Sequence, residues 1–313
     1  RRLVTLGFLS LAAGGTLGAL SHSLALLLVG RFLEGVGFIA VATTLPAVIV
    51  AAALPRHRST ALSFWTIYTP TGMALALVAA PGVLAALDWR ALWWGGVALS
   101  AVTGLAVRVA MGRVALPPRP AGRAGPAILE SLARPGLWLI ALTFAAYAFQ
   151  WVGLMVWLPT FLEEALGLAG AGAAYATALV VLANLAGIFG SGWAMRRNGA
   201  GGPWTIPLAA LGMALATAAV FLPVLPPFGR VAAAVAFSVV GGFIPGQLFN
   251  AVPHHAPGPG HLAAGNGMLL QGSSMGQFAC APVIAWAVSL AGGAWAAALI
   301  PMLTAAAVAA LAG

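Results

Sequence analysis

The stretch LLLVGRFLEGVGFIAV, residues 26–41, is a run of apolar residues interrupted by one arginine and one glutamate, Arg31 and Glu34. Its length decides the fold class. With its flanks it forms an apolar segment over 24–50, and a helix crosses the hydrocarbon core of a bilayer with roughly 20 such residues. Similar runs recur along the whole chain, at 3–20, 59–83, 91–110, 137–161, 171–194, 204–224, 231–252, 262–288 and 293–312. Backbone polar groups have no water to bond inside lipid, so runs of this length are helices. The expectation is an all-α polytopic membrane protein with ten spans.

Composition agrees. Of 313 residues, 62% are hydrophobic and 6% charged, whereas soluble domains carry about 25% charged residues. All fourteen basic residues are arginines, and they are too scattered to form a nucleic-acid footprint. They report topology instead, because arginine in short loops marks the cytoplasmic side. With Arg1 and Arg2 inside, the inner side also holds Arg56, Arg58, Arg108, Arg113, Arg119, Arg123, Arg134, Arg196 and Arg197; Arg90 and Arg230 fall outside with Asp88, Glu163 and Glu164. The chain is expected in the cytoplasmic (inner) membrane, with its linker and C-terminus cytoplasmic. Trp89, Trp93, Trp94 and Trp295 then fall at the outer interface, and Trp138, Trp193 and Trp204 at the inner one. One cysteine, Cys280, excludes an internal disulfide.

The longest polar connection, MGRVALPPRPAGRAGPAILESLARPG at 111–136, is rich in Pro, Gly and Arg and reads as a linker. It divides the chain into a bundle at 1–110, the linker at 111–136 and a second bundle at 137–313. Four spans precede it and six follow. Two equal halves would need two further helices at the front, in keeping with a chain that opens on Arg1 rather than methionine. A faint internal repeat, VGFI at 36–39 with GGFI at 241–244 and AAPGV at 79–83 with CAPVI at 280–284, fits a duplicated plan.

GRFLEGVG at 30–37 resembles the arginine–glycine motif on the fourth helix of the major facilitator superfamily. RR at 1–2 resembles the tail of that family's basic loop between helices two and three. Residues 56–82 are similar to its fifth helix, without the antiporter motif's full glycine set, and DWRALWW at 88–94 resembles the entry to its sixth. GIFGSGWAMRRNG at 187–199 resembles a decayed second basic loop, lacking its aspartate. YAFQWVGLMVWLPTFLEE at 147–164 is weakly similar to the cyanate and nitroimidazole transporter branch. The resemblance covers helices three to twelve of twelve. It implies a two-bundle fold, with a central cavity lined in part by the helix at 24–50, and a secondary active transporter working by alternating access.

A charged side chain at bilayer depth costs about 2.5–3.5 kcal/mol on insertion scales, so intramembrane ionisable groups mark function by default. Arg31 and Glu34, three residues apart, share a helix face and can meet. The functional reading has Arg31 attracting an anionic group and Glu34 exchanging a proton; the structural alternatives are a plain ion pair, or Arg31 snorkelling outward. The further substrate-binding candidates are polar residues at mid-depth: Tyr68, the face Tyr147–Gln150–Trp151 at spacings of three and four, Asn184 and Gln271. Each could instead bond a neighbouring helix. Small-xxx-small pairs, Gly14 with Gly18, Gly187 with Ser191, Gly242 with Gly246 and Gly272 with Gly276, signal close helix approach.

Enzyme readings are weaker. GSSMG at 272–276 fits a nucleophile pattern, but that motif needs a strand-to-helix elbow and a base, and here it lies mid-span. The histidines His254, His255 and His261 lie in one inner loop and read as solvated. A phosphate-binding loop needs a lysine, which the chain lacks. The expectation is no enzyme, no cofactor and no metal. The partners are a small-molecule substrate, possible protons and membrane lipid, with no nucleic acid and a monomeric state. The rival is a non-transporting sensor or assembly protein that keeps the fold.

Overall fold

The computed structural model describes residues 2–54, 57, 61, 65, 67–114, 124–168, 170–198, 202 and 204–313. Arg1, Arg56, Arg58, Arg119 and Arg123, the first part of the span expected at 59–83, and the side chains of Arg196 and Arg197 lie outside the described residues. The described elements are helical: α1 Arg2–Ala19, α2 Leu24–Ala52, α3 Tyr68–Ala86, α4 Trp89–Gly112, α5 Ala124–Leu132, α6 Pro135–Leu166, α7 Ala171–Asn198, α8 Thr205–Phe221, α9 Pro227–Gly241, α10 Phe243–His255, α11 Leu262–Leu290 and α12 Leu299–Ala312. Short 3₁₀ turns at Pro259–His261 and Trp295–Ala298 lead into the last two.

Among the described residues, nine segments are long and apolar enough to cross a membrane; α9 and α10 count as one, Pro227–His255. The span expected at 204–224 is the 17-residue α8, at the short end for crossing lipid. The span expected at 231–252 is interrupted for one residue at Gly242, where the backbone passes against α7: a Cβ there would stand 2.9 Å from the Gly187 Cα. Hydropathy carries no trace of that contact. The linker holds a helix that its composition did not suggest, α5.

Local chemistry sets the helix ends. The Ser23 hydroxyl caps α2 by accepting from the Leu26 N–H, and Asp88 caps α4 by accepting from the Arg90 and Ala91 N–H groups. Pro135 occupies the first turn of α6, and Gly167 ends it at φ 69°, where its N–H reaches back to Glu163 and Leu162. With 32 residues, α6 is about 48 Å long, more than a bilayer core requires.

The helices group into two compact units, residues 1–68 with 78–121 and residues 69–77 with 122–313. In the first, α1 packs along α2 and α4. In the second, α6 packs along α11, and α9 against α7 and α8. The second core is the larger and includes Phe161, Phe237, Leu154, Met213 and Ile284; Ala74, from the first half of α3, is buried in it.

Candidate functional site

In the first unit the charges at 31 and 34 meet. The Arg31 Nη2 lies 2.5 Å from the Glu34 Oε1, seven residues beyond the start of α2, with the two side chains 43% and 22% exposed. The Arg31 guanidinium also sits over the ring of Trp93 on α4, 4.9 Å from its centroid. Trp93 in turn meets the edge of Trp89 at 5.2 Å. Room for this cluster comes from the glycines of α1. A Cβ at Gly15 would stand 3.2 Å from the Glu34 Oε1, and one at Gly18 would strike the Trp93 ring and come within 3.3 Å of the Arg31 Nη2. At Gly14 it would lie 2.7 Å from the Glu34 Cγ. The sequence-derived pairing of Gly14 with Gly18 is thus a close helix approach, and it seats the ion pair. Tyr68, at the start of α3, is 38% exposed and packs on Phe38 and Trp65 at ring distances of 6.1 and 4.9 Å.

The second unit holds a different polar cluster. Tyr147, Gln150 and Trp151 share a face of α6, as their spacing predicts, and all three are buried. The Trp151 indole donates to the Ser238 Oγ at 3.1 Å, and the Asn184 amide donates to the Ser238 carbonyl at 2.8 Å. Tyr147 interacts with Asn184 and packs against Gly241. These bonds tie α6, α7 and α9 together, as the structural alternative requires. The Gln150 amide reaches only the Ala146 carbonyl of its own helix, at 3.4 Å, and its Oε1 is buried with no partner among the described residues. Gln271 belongs to neither cluster and is exposed on α11.

Sequence reading missed Trp93 and Ser238. Both lie on helices remote in sequence from their partners, and nothing in either helix's own pattern marks them. An apolar cavity of about 390 Å³ in the second unit, lined by Met195, Thr205, Leu208, Phe243 and Gln247 among others, is separate from both clusters. The serines of GSSMG sit in α11: Ser274 bonds the Leu270 carbonyl and Ser273 accepts from Gln277. A strand-to-helix elbow is not what holds them.

Membrane-length helices in two units, one of them carrying an Arg–Glu pair within a span-length helix, are the architecture of a polytopic membrane protein. The chain belongs to the major facilitator superfamily, whose family model matches residues 1–281. Among solved structures it is similar to a bacterial homologue of the human lysosomal transporter Spinster, inward-facing and occupied, at 18% identity and TM-score 0.72, covering 99% of this chain and 81% of that one. It is also similar to the E. coli fucose:proton symporter FucP at 16% identity and TM-score 0.64, covering 99% and 82%. The human organic anion transporter MFSD10 is similar at 20% identity and TM-score 0.66, covering 99% and 75%. No curated protein matches the chain by sequence. The chain is a secondary transporter of this family by fold; the weaker likeness to the cyanate branch finds no support among these matches.

Proposed function

We propose that the chain moves a small solute, an anion by preference, across the cytoplasmic membrane by proton-coupled alternating access, in which one site opens to each side in turn. The observation that carries this reading is the Arg31–Glu34 pair within α2. An ionised pair inside a span is costly, and a carboxylate beside an arginine there is suited to a reversible proton. In the cycle, Glu34 carries the proton. Its neutral form releases the arginine's charge, which is then free to attract an anionic group. Two of the structural neighbours, a fucose:proton symporter and an organic anion transporter, perform the two halves of that chemistry.

Tyr68, Gln271 and Gln150 serve as substrate contacts in this reading, the last through its unpartnered Oε1. Trp151 and Asn184, both bonded to Ser238, and Tyr147 beside Asn184 join α6 to α7 and α9 next to that position. The bundles are 1–110 and 137–313, the linker 111–136 and the C-terminus are cytoplasmic, and the working unit is a monomer in contact with lipid. The test is an uptake screen of sugars and small organic anions into proteoliposomes, with and without an inward proton gradient. Uptake by the unaltered chain and its loss in Arg31→Ala support the reading. An Arg31→Ala variant that transports normally removes it.

A further inference from the structure

Arg31 has two partners, and the role just proposed for Glu34 uses only one of them. The second is the face of Trp93, with the guanidinium 4.9 Å from the ring centroid. The tryptophan's other functional group is idle: its Nε1 is buried and has no hydrogen-bond partner among the described residues. A buried donor left unpaired opposes folding, so this position would favour a ring without an N–H if packing were all it supplied. The fold instead makes room for the indole, since any side chain at Gly18 would displace both the ring and the Arg31 Nη2. What the indole supplies here is its π-face, which holds a cation and is strongest in tryptophan.

We infer that Trp93 is a positioning residue of the coupling pair: its ring keeps the Arg31 guanidinium beside Glu34 through the part of the cycle in which Glu34 is neutral. When Glu34 takes up a proton the ion pair ends, and a lone arginine on α2 would otherwise extend toward the interface. The cation–π contact is indifferent to the protonation of Glu34. It therefore retains the guanidinium at depth, where it faces the solute and favours the next deprotonation. This inference rests on the proton-carrying role proposed for Glu34.

The charged groups around Glu34 are few, which makes the effect readable. α1 carries only Arg2, at its far end, and α4 carries Arg90 and Arg108 near its two ends. Arg90 is engaged with Trp89, Asp88 and the Ser21 carbonyl. Arg31 is the one cation paired with Glu34 among the described residues.

The test needs no substrate. A hydrophobic carbodiimide modifies carboxyl groups in their protonated form, so its reaction with Glu34 in the full chain, followed by mass spectrometry across pH, gives a titration profile. Trp93→Leu, which removes the ring face, should move the midpoint of that profile up by about one pH unit, equivalent to a roughly tenfold weaker hold on the arginine. Trp93→Phe keeps a weaker face and should fall between the two. It also removes the idle donor, so it should fold at least as well as the unaltered chain and serves if Trp93→Leu does not fold. Arg31→Leu should shift the midpoint further than either, and adding Trp93→Leu to it should shift it no more. Midpoints for Trp93→Leu and Trp93→Phe equal to that of the unaltered chain overturn the positioning role while leaving Glu34 as the proton carrier. Modification of Glu34 that does not vary with pH in the unaltered chain overturns both.

Discussion

Gly276→Ala and Gly267→Ala, made nine residues apart on α11, should change stability in opposite directions. At Gly276 the helix crosses α6 so closely that a Cβ would overlap the Ala145 carbonyl and stand 3.0 Å from the Phe149 N. Those are backbone atoms of a 32-residue helix, so relief requires moving α6 rather than rotating a side chain. Overpacking of this kind costs about 1–3 kcal/mol. At Gly267 nothing lies within 4 Å of the added methyl, and replacing a mid-helix glycine there gains about 0.5–1 kcal/mol. The two variants should differ by about 1.5–4 kcal/mol in reversible unfolding from mixed micelles, with the unaltered chain between them. Equal effects, or a stabilising Gly276→Ala, would refute the reasoning that α6 and α11 are held at backbone contact.

Arg230→Leu should destabilise by about 1.5–3 kcal/mol in the same assay, because the side chain donates to the last carbonyls of α8, Val220 at 2.6 Å and Phe221 at 3.2 Å, and lies over Phe161; Arg230→Lys should fall between. Ser238→Ala takes away the acceptor of the Trp151 indole and should cost about 0.6–2 kcal/mol of stability with the KM for uptake held within about twofold; a tenfold rise in KM would make that network a direct substrate contact. The His261–Glu130 contact, 2.7 Å, pins α5 to the start of α11 at an exposed position, so Glu130→Gln should lower stability by no more than about 1 kcal/mol.

The spans were legible because hydropathy and length are strong, local signals: the segments expected at 3–20, 24–50 and 262–288 are α1, α2 and α11 to within a few residues. The meeting of Arg31 with Glu34 was legible for the same reason, since a spacing of three fixes it on one helix. What the sequence concealed depends on which helices touch. The break at Gly242 is set by Gly187 on another helix, and the third member of the ion-pair cluster, Trp93, is set by Gly18. Its sequence position reads as an interfacial tryptophan like its neighbours Trp89 and Trp94. Tyr147, Gln150 and Trp151 show the converse limit. Their periodicity placed them on one face, but periodicity does not say which member of a polar face meets another helix: here Tyr147 meets Asn184 and Trp151 meets Ser238, while the Gln150 Oε1 meets neither.

The most direct test of the account is proton movement itself. Proteoliposomes carrying the full chain and a trapped pH-sensitive dye are exposed to each solute that passes the uptake screen, and the internal pH is followed. The account predicts a solute-dependent pH change in the unaltered chain that is abolished in Glu34→Gln, with solute exchange at equal pH retained. A pH change of the same size and rate in Glu34→Gln would contradict it.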